Sequence, residues 1–254
     1  MNIFKRLSLV MLTIILASSF VLPVSASART LKVDVYMDQS FIVKNGGPPH
    51  PWQTRLGEIT TNIYGFYKGA FDIEVTFNFS PTNTRIVTSP ADTCVGTSYP
   101  DCEDICPCYT NTQCESSSTY HHTNYHRIRS SCLGSQSTTS AEMLLTGHLH
   151  CRNKNGSHGT VRGVCWDAYD QLICMDYCKK LINNIDYYYT RKTIIHELGH
   201  LYGVADHYGN GTPAGENDNC IWGDNRENET VLKNMSICTT CYNTIRANRD
   251  RYNH

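Results

Sequence analysis

Apolar and polar residues alternate from Leu31 to Met37 and again from Phe71 to Phe79. Successive strand side chains point to opposite faces, so each segment reads as a strand with one face buried. Between them, after the punctuation at His50-Pro51, Leu56, Ile59, Ile63 and Phe66 recur near helical spacing and predict a helix over Trp52 to Tyr67. Arg85 to Thr88 fits a further short strand. Strand, helix and strand of these lengths predict a parallel crossover, with the helix covering a sheet. Farther on, His148 and His150 alternate with Leu149 and read as ordinary residues on one face of a strand. A polar stretch from Gly209 to Lys233 carries glycine and proline turn signals, and a closing helix begins around Cys238-Thr-Thr-Cys241, with Tyr242 and Ile245 as apolar anchors.

Two segments break these patterns. Met1 to Ala28 has Lys5 and Arg6, a short apolar run from Leu7 to Leu16, and small residues at Val24-Ser-Ala-Ser-Ala28. That is the layout of a secretory signal peptide, and the run is too short and too interrupted for a membrane anchor. Its removal would leave residues 29–254 as a single exported domain, with no membrane attachment. The second segment, Ala91 to Ser140, is irregular and rich in Cys, Ser, Thr, Asn and Tyr. A long irregular insertion in a compact domain needs staples, and all thirteen cysteines lie from Cys94 onward. In an exported chain that density predicts disulfides, and the odd number leaves one thiol over. Cys238-x-x-Cys241 has no thioredoxin-like context and no partner C-x-x-C, so disulfides to other cysteines are expected there too. His121, His122 and His126 read as a solvated polar loop, since no Cys/His spacing there matches a structural zinc pattern. The net charge of -1, with no Lys/Arg block, excludes nucleic acid as a partner class.

The chemistry concentrates in Thr193 to Tyr208. Ile194, Ile195, Leu198 and Leu201 mark a buried helix, opened by Tyr187, Tyr188 and Tyr189 as packing residues. In such a helix two histidines and a glutamate are costly unless paired or metal-bound. His196 and His200 are four apart, so both imidazoles face one metal ion, while Glu197 is placed to act on a water beside it. Catalytic zinc takes three protein ligands and keeps one position open. The third ligand should follow Gly203, which turns the chain back beneath the metal, and Asp206 and His207 are the two candidates.

His196-Glu-Leu-Gly-His200-Leu-Tyr-Gly203-Val-Ala-Asp206-His207-Tyr208 resembles the extended zinc signature of the metzincin metalloproteases. Most metzincins have a third histidine where this chain has Asp206, and the aspartate followed by His-Tyr resembles the snapalysin family. The resemblance implies that His196, His200 and Asp206 bind zinc, with His207 as the alternative third ligand. Glu197 would be the general base, and Tyr208, near the open side, would donate to the developing oxyanion, an interaction typically worth about 3 kcal/mol. Asn234-Met235-Ser236 resembles the Met-turn beneath the ligands, although Met235 lies 29 residues after Asp206, a longer interval than in snapalysins. Leu144-Leu-Thr146 and Gly159 to Trp166 resemble the adamalysin-like segment in which an edge strand pairs with extended substrate. The implied fold is α+β: a twisted, mostly parallel sheet with an antiparallel edge strand, a zinc helix, and a disulfide-rich irregular lower half. The implied protein is a secreted, monomeric zinc endopeptidase acting on protein or peptide substrates. Two alternatives stand beside it. One is a zinc hydrolase of another amide bond. The other is a disulfide-rich binding module with a vestigial site, which would have no need of Glu197.

Overall fold

A computed structural model describes residues 29–45, 51–79, 86–87, 129–133, 140–147, 150–154, 157–161, 163–176, 179–182, 185–207, 220–223 and 236–252. The signal segment, most of the Cys-rich insertion, His148, Tyr208 and Met235 lie outside the described residues. Strand β1 (Arg29–Asp38) is followed by helices α1 (Gln39–Lys44), α2 (Pro51–Thr60) and α3 (Ile63–Phe71), then by β2 (Ile73–Asn78) and the short β3 (Ile86–Val87). The central strands β4 (Ala141–Thr146) and β8 (Gln171–Met175) flank a hairpin of β5 (His150–Lys154) and β6 (Ser157–Val161) and the strand β7 (Gly163–Trp166). A second hairpin, β9 (Lys179–Ile182) with β10 (Ile185–Tyr188), leads into α4 (Tyr189–Leu201), and α5 (Thr239–Asn248) closes the chain.

The main sheet runs β2-β1-β4-β8-β7, with β3 also pairing β1. Every pairing is parallel except β7 with β8, so the predicted antiparallel edge strand is present. It is shorter than Gly159 to Trp166: residues 157–161 turn away to pair with β5, and only Gly163–Trp166 joins the sheet. The alternation read in β1 is the observed one, with Leu31, Val33, Val35 and Met37 fully buried. All of β4 is buried because both faces of the sheet are covered, as expected of a central parallel strand. Met143 and Leu145 join the principal core, whereas Leu144 packs on the opposite face with Cys132, Leu133 and Ile173.

The single helix predicted over Trp52 to Tyr67 is two helices. Asn62 adopts φ 69° and breaks the chain, a left-handed conformation that asparagine tolerates better than most residues. After the break the inward face becomes Ile63, Tyr67 and Phe71, so Phe66 is only partly buried. In α5, Ile245 is buried as expected, but Tyr242 is exposed and stacks on Phe71 at 5.6 Å between centroids. Tyr187 and Tyr188 belong to β10, and α4 begins at Tyr189.

Cysteines depart furthest from expectation. Among the described residues, Cys165, Cys174, Cys220, Cys238 and Cys241 are free thiols, so the crosslinks expected at Cys238 and Cys241 are not formed. No helix among the described residues is long and apolar enough to cross a membrane.

Candidate metal centre

Helix α4 is the element that everything at the site depends on. Its apolar side chains Ile194, Ile195, Leu198 and Leu201 are buried in the principal core, and the helix lies against β7 and β8. Its first turn is held by Thr190, whose hydroxyl donates to Asp176 Oδ1 at 2.9 Å. Asp176, at the end of β8, also accepts from Arg55 of α2 (Nη2, 2.7 Å) and from Asn45 (Nδ2, 2.9 Å). In mid-helix the Tyr67 hydroxyl donates to the Ile195 carbonyl at 2.7 Å. Burial raises the Tyr67 phenol well above its ordinary range, so it stays protonated as this donor requires.

The end of α4 is a Schellman turn. Val204 N–H donates to the Gly199 carbonyl at 3.2 Å and Gly203 N–H to the His200 carbonyl at 2.8 Å. Gly203 sits at φ +82°, the left-handed geometry this turn needs. Carbonyls left over at the helix end find donors elsewhere: Arg251 Nη1 reaches Leu201 O, and Asn248 Nδ2 donates to Tyr202 O at 2.9 Å.

The reversal at Gly203 brings the next segment back to the two imidazoles. Asp206 Oδ1 lies 2.9 Å from His196 Nε2 and 3.5 Å from His200 Nε2. The rings are 4.8 Å apart between centroids and nearly perpendicular, at 83°. Each ring anchors its other nitrogen on the backbone: His196 Nδ1 is 2.8 Å from the Ile221 carbonyl, and His200 Nδ1 is 2.6 Å from the Val204 carbonyl. A carbonyl only accepts, so both Nδ1 atoms carry the hydrogen and both Nε2 lone pairs face the shared point. Glu197 Oε2 stands 3.9 Å from His200 Nε2. His196 and Glu197 are buried, whereas the Asp206 side chain is 36% exposed, so the site opens on the aspartate side.

Glu197 is positioned by the sheet as well as by its helix. A Cβ built on Gly163 of β7 would fall 2.5 Å from Glu197 Oε1 and 2.7 Å from Thr193 Cγ2. The edge strand therefore passes the carboxylate with no side chain between them. Burial raises the Cys165 and Cys174 thiols of β7 and β8 well above their ordinary range, with Glu197 adding to both shifts. They are neutral thiols beside the site, not nucleophiles.

His207 does not join this group. Its Nε2 lies 3.1 Å from Cys241 Sγ and 3.6 Å from Cys238 Sγ, and Cys220 Sγ is 3.8 Å from Cys241 Sγ. All four donor atoms fall within 4.8 Å of one another, and the three thiols are buried. The Cys220 thiol is pushed down, chiefly by its hydrogen bond with Cys241, with the Cys238 N–H also contributing at 3.5 Å, and the same sulfur pair pushes Cys241 up. Nothing in the sequence alone brings Cys220 to the C-x-x-C. A histidine next to a ligand candidate, followed by one cysteine and then a C-x-x-C, was the available signal.

The donor chemistry of both groups fits zinc. Two imidazoles with a carboxylate and an open side match the three-ligand catalytic pattern, and one imidazole with three thiols matches the closed structural pattern.

Solved structures align with most of the chain, two of them as follows. A zinc-dependent peptidase from Methanocorpusculum labreanum (strain Z) does so at 11% identity and a TM-score of 0.40, over 84% of this chain and 99% of that one. Archaemetzincin from Archaeoglobus fulgidus, complexed with malonate, does so at 15% identity and a TM-score of 0.41, over 85% and 99%. The sequence matches no protein-family model and no curated protein. At such low similarity the functional reading rests on the chain's own side chains.

Proposed function

We propose that this chain is a metzincin-type zinc endopeptidase, with His196, His200 and Asp206 as zinc ligands and Glu197 as general base. The supporting observation is the convergence of His196 Nε2, His200 Nε2 and Asp206 Oδ1, with both Nδ1 atoms tied to carbonyls. Bound zinc supplies Lewis acidity, bringing the pKa of water down to about 7 and polarising a carbonyl. Glu197 Oε2 takes the proton of the attacking water and delivers it to the leaving amine nitrogen. The neutral thiols of Cys165 and Cys174 leave that carboxylate as the group suited to move the proton.

An extended peptide would add along the outer side of β7, the end strand of the sheet among the described residues, its main chain pairing with Gly163–Trp166. Gly163 lets the strand run against Glu197, so the bond to be cut lies beside the base. Tyr208 as oxyanion donor and Met235 as support beneath the ligands complete the reading, as does export by the segment at residues 1–28.

The test is Glu197→Gln in the full chain, assayed on a mixed peptide library with zinc content measured in parallel. The variant should keep the metal bound at His196, His200 and Asp206 and lose about 10²–10⁴-fold in cleavage. Undiminished cleavage would remove Glu197 from the role of base, and no cleavage by the unmodified, zinc-loaded chain would overturn the peptidase reading.

A further inference from the structure

We propose that His207, Cys220, Cys238 and Cys241 bind a second zinc ion, and that this ion holds His196 and Asp206 in place for the first. The proposal rests on the peptidase reading for the His196 site and adds to it a positioning metal.

The first part follows from the donors. Four ligand atoms from three separate segments converge within 4.8 Å. A disulfide between any two cysteines would leave the third, buried thiol and the partly buried imidazole together without a purpose. One metal ion uses all four, and Cys₃His is an established closed zinc set. Zinc would take the thiols as thiolates and release their protons on binding. A backbone donor already points at one of these sulfurs, the Cys238 N–H at 3.5 Å from Cys220 Sγ.

The second part follows from which residues neighbour these donors. Cys220 begins a four-residue strap, 220–223, whose next two residues touch His196. The Ile221 carbonyl accepts from His196 Nδ1 at 2.8 Å, and Trp222 Nε1 donates to the His196 carbonyl at 2.8 Å. The Trp222 carbonyl accepts from His207 N–H at 3.2 Å, and Ile221 N–H donates to Ser236 O at 3.1 Å. His207 itself directly follows Asp206. His207 thus adjoins Asp206, Cys220 begins the strap that orients His196, and Cys238 and Cys241 contact both of these donors. The segments are far apart in sequence, His207 and Cys238 being separated by 31 in residue number. Short backbone bridges tie them together, His207 with Gly223 and Cys220 with Ser236. A metal joining all four donors closes those loops at once, and its loss would let the carbonyl on His196 Nδ1 and the carboxylate of Asp206 drift.

The test uses the full chain, purified under reducing conditions. Zinc per chain is measured by elemental analysis, and cobalt substitution is followed by thiolate-to-cobalt charge-transfer absorption. Catalytic-site affinity is measured by chelator competition. Two equivalents are expected, one of them giving the thiolate bands. Cys241→Ser and His207→Ala should each abolish the bands and weaken the remaining equivalent about 10–100-fold, the range for a partner that orients a ligand. His207→Cys keeps four donors and should restore both equivalents and the tight catalytic affinity, which guards against a variant that merely fails to fold. His196→Ala should remove the other equivalent and leave the bands. Absence of thiolate bands in the unmodified chain overturns the second site. Unchanged catalytic affinity after the bands are lost overturns the positioning role. If the bands are present but no equivalent responds to His196→Ala, the peptidase reading fails and the cluster stands as a separate zinc site.

Discussion

Gly199 gives a prediction whose sign opposes ordinary helix energetics. Gly→Ala inside a helix normally stabilises by about 1 kcal/mol. At Gly199 a Cβ would fall within the indole ring of Trp222, against Cζ2, Cε2 and Nε1. Trp222 is fully buried and cannot swing outward, so the substitution overpacks the core, at a cost of about 1–3 kcal/mol. Moving the ring also breaks the Trp222 Nε1 bond to the His196 carbonyl, worth about 0.5–1.5 kcal/mol. Set against the helix gain, Gly199→Ala should destabilise by about 1–3 kcal/mol and lower Tm by roughly 2–12 °C. Gly57 and Gly69 are internal controls: both are helical, and a Cβ at either meets nothing within 4 Å. Gly57→Ala and Gly69→Ala should each raise Tm by roughly 2–4 °C. Differential scanning calorimetry of the three variants decides the matter. If Gly199→Ala raises Tm alongside the controls, Trp222 does not press on α4 as described, and the account of how His196 is held falls with it.

Other expectations concern single groups. Asp176→Ala would take the buried carboxylate away from the Arg55 guanidinium, whose side chain is only 11% exposed, and should cost about 3–5 kcal/mol in urea unfolding; a loss below 1 kcal/mol would contradict the buried-hub description. Tyr67→Phe removes one buried hydroxyl donor to α4 and should cost about 0.5–1.5 kcal/mol by the same measurement, with zinc content unchanged. Asp206→Ala should abolish tight zinc binding at the histidine pair while sparing the thiol cluster, as read by chelator competition; retention of both equivalents would exclude Asp206 as a ligand.

Much of this arrangement is legible in the chain because it is local. Period-two alternation placed β1 and β2, and the four-residue spacing of His196 and His200 needed only a helix to set them on one face. Gly203 announced the left-handed turn that carries Asp206 back. Non-local features were hidden. The break at Asn62 depends on an asparagine adopting positive φ, which the apolar spacing across it disguises. The choice between Asp206 and His207 was open because both are sound zinc donors on adjacent residues. What separates them in space is the return of Cys220, Cys238 and Cys241 from farther along the chain. The same return overrides the inference from cysteine density to disulfides, since density says nothing of which sulfurs meet an imidazole. Gly199 is similarly mute until Trp222 is seen against it.

The backbone carbonyls that seat the two imidazoles carry a consequence for transplanting this site. His200 leans on Val204, just past the helix, but His196 leans on Ile221, a residue from another part of the chain altogether. Copying α4 with its turn through Val204 into a foreign scaffold would therefore import one oriented ring and one loose one. The smallest portable unit is discontinuous: the helix, its turn through Asp206, and the strap 220–223 that holds the first histidine from behind. A designer who keeps only the contiguous motif would be moving the sequence signature while leaving half of its geometry in the parent fold.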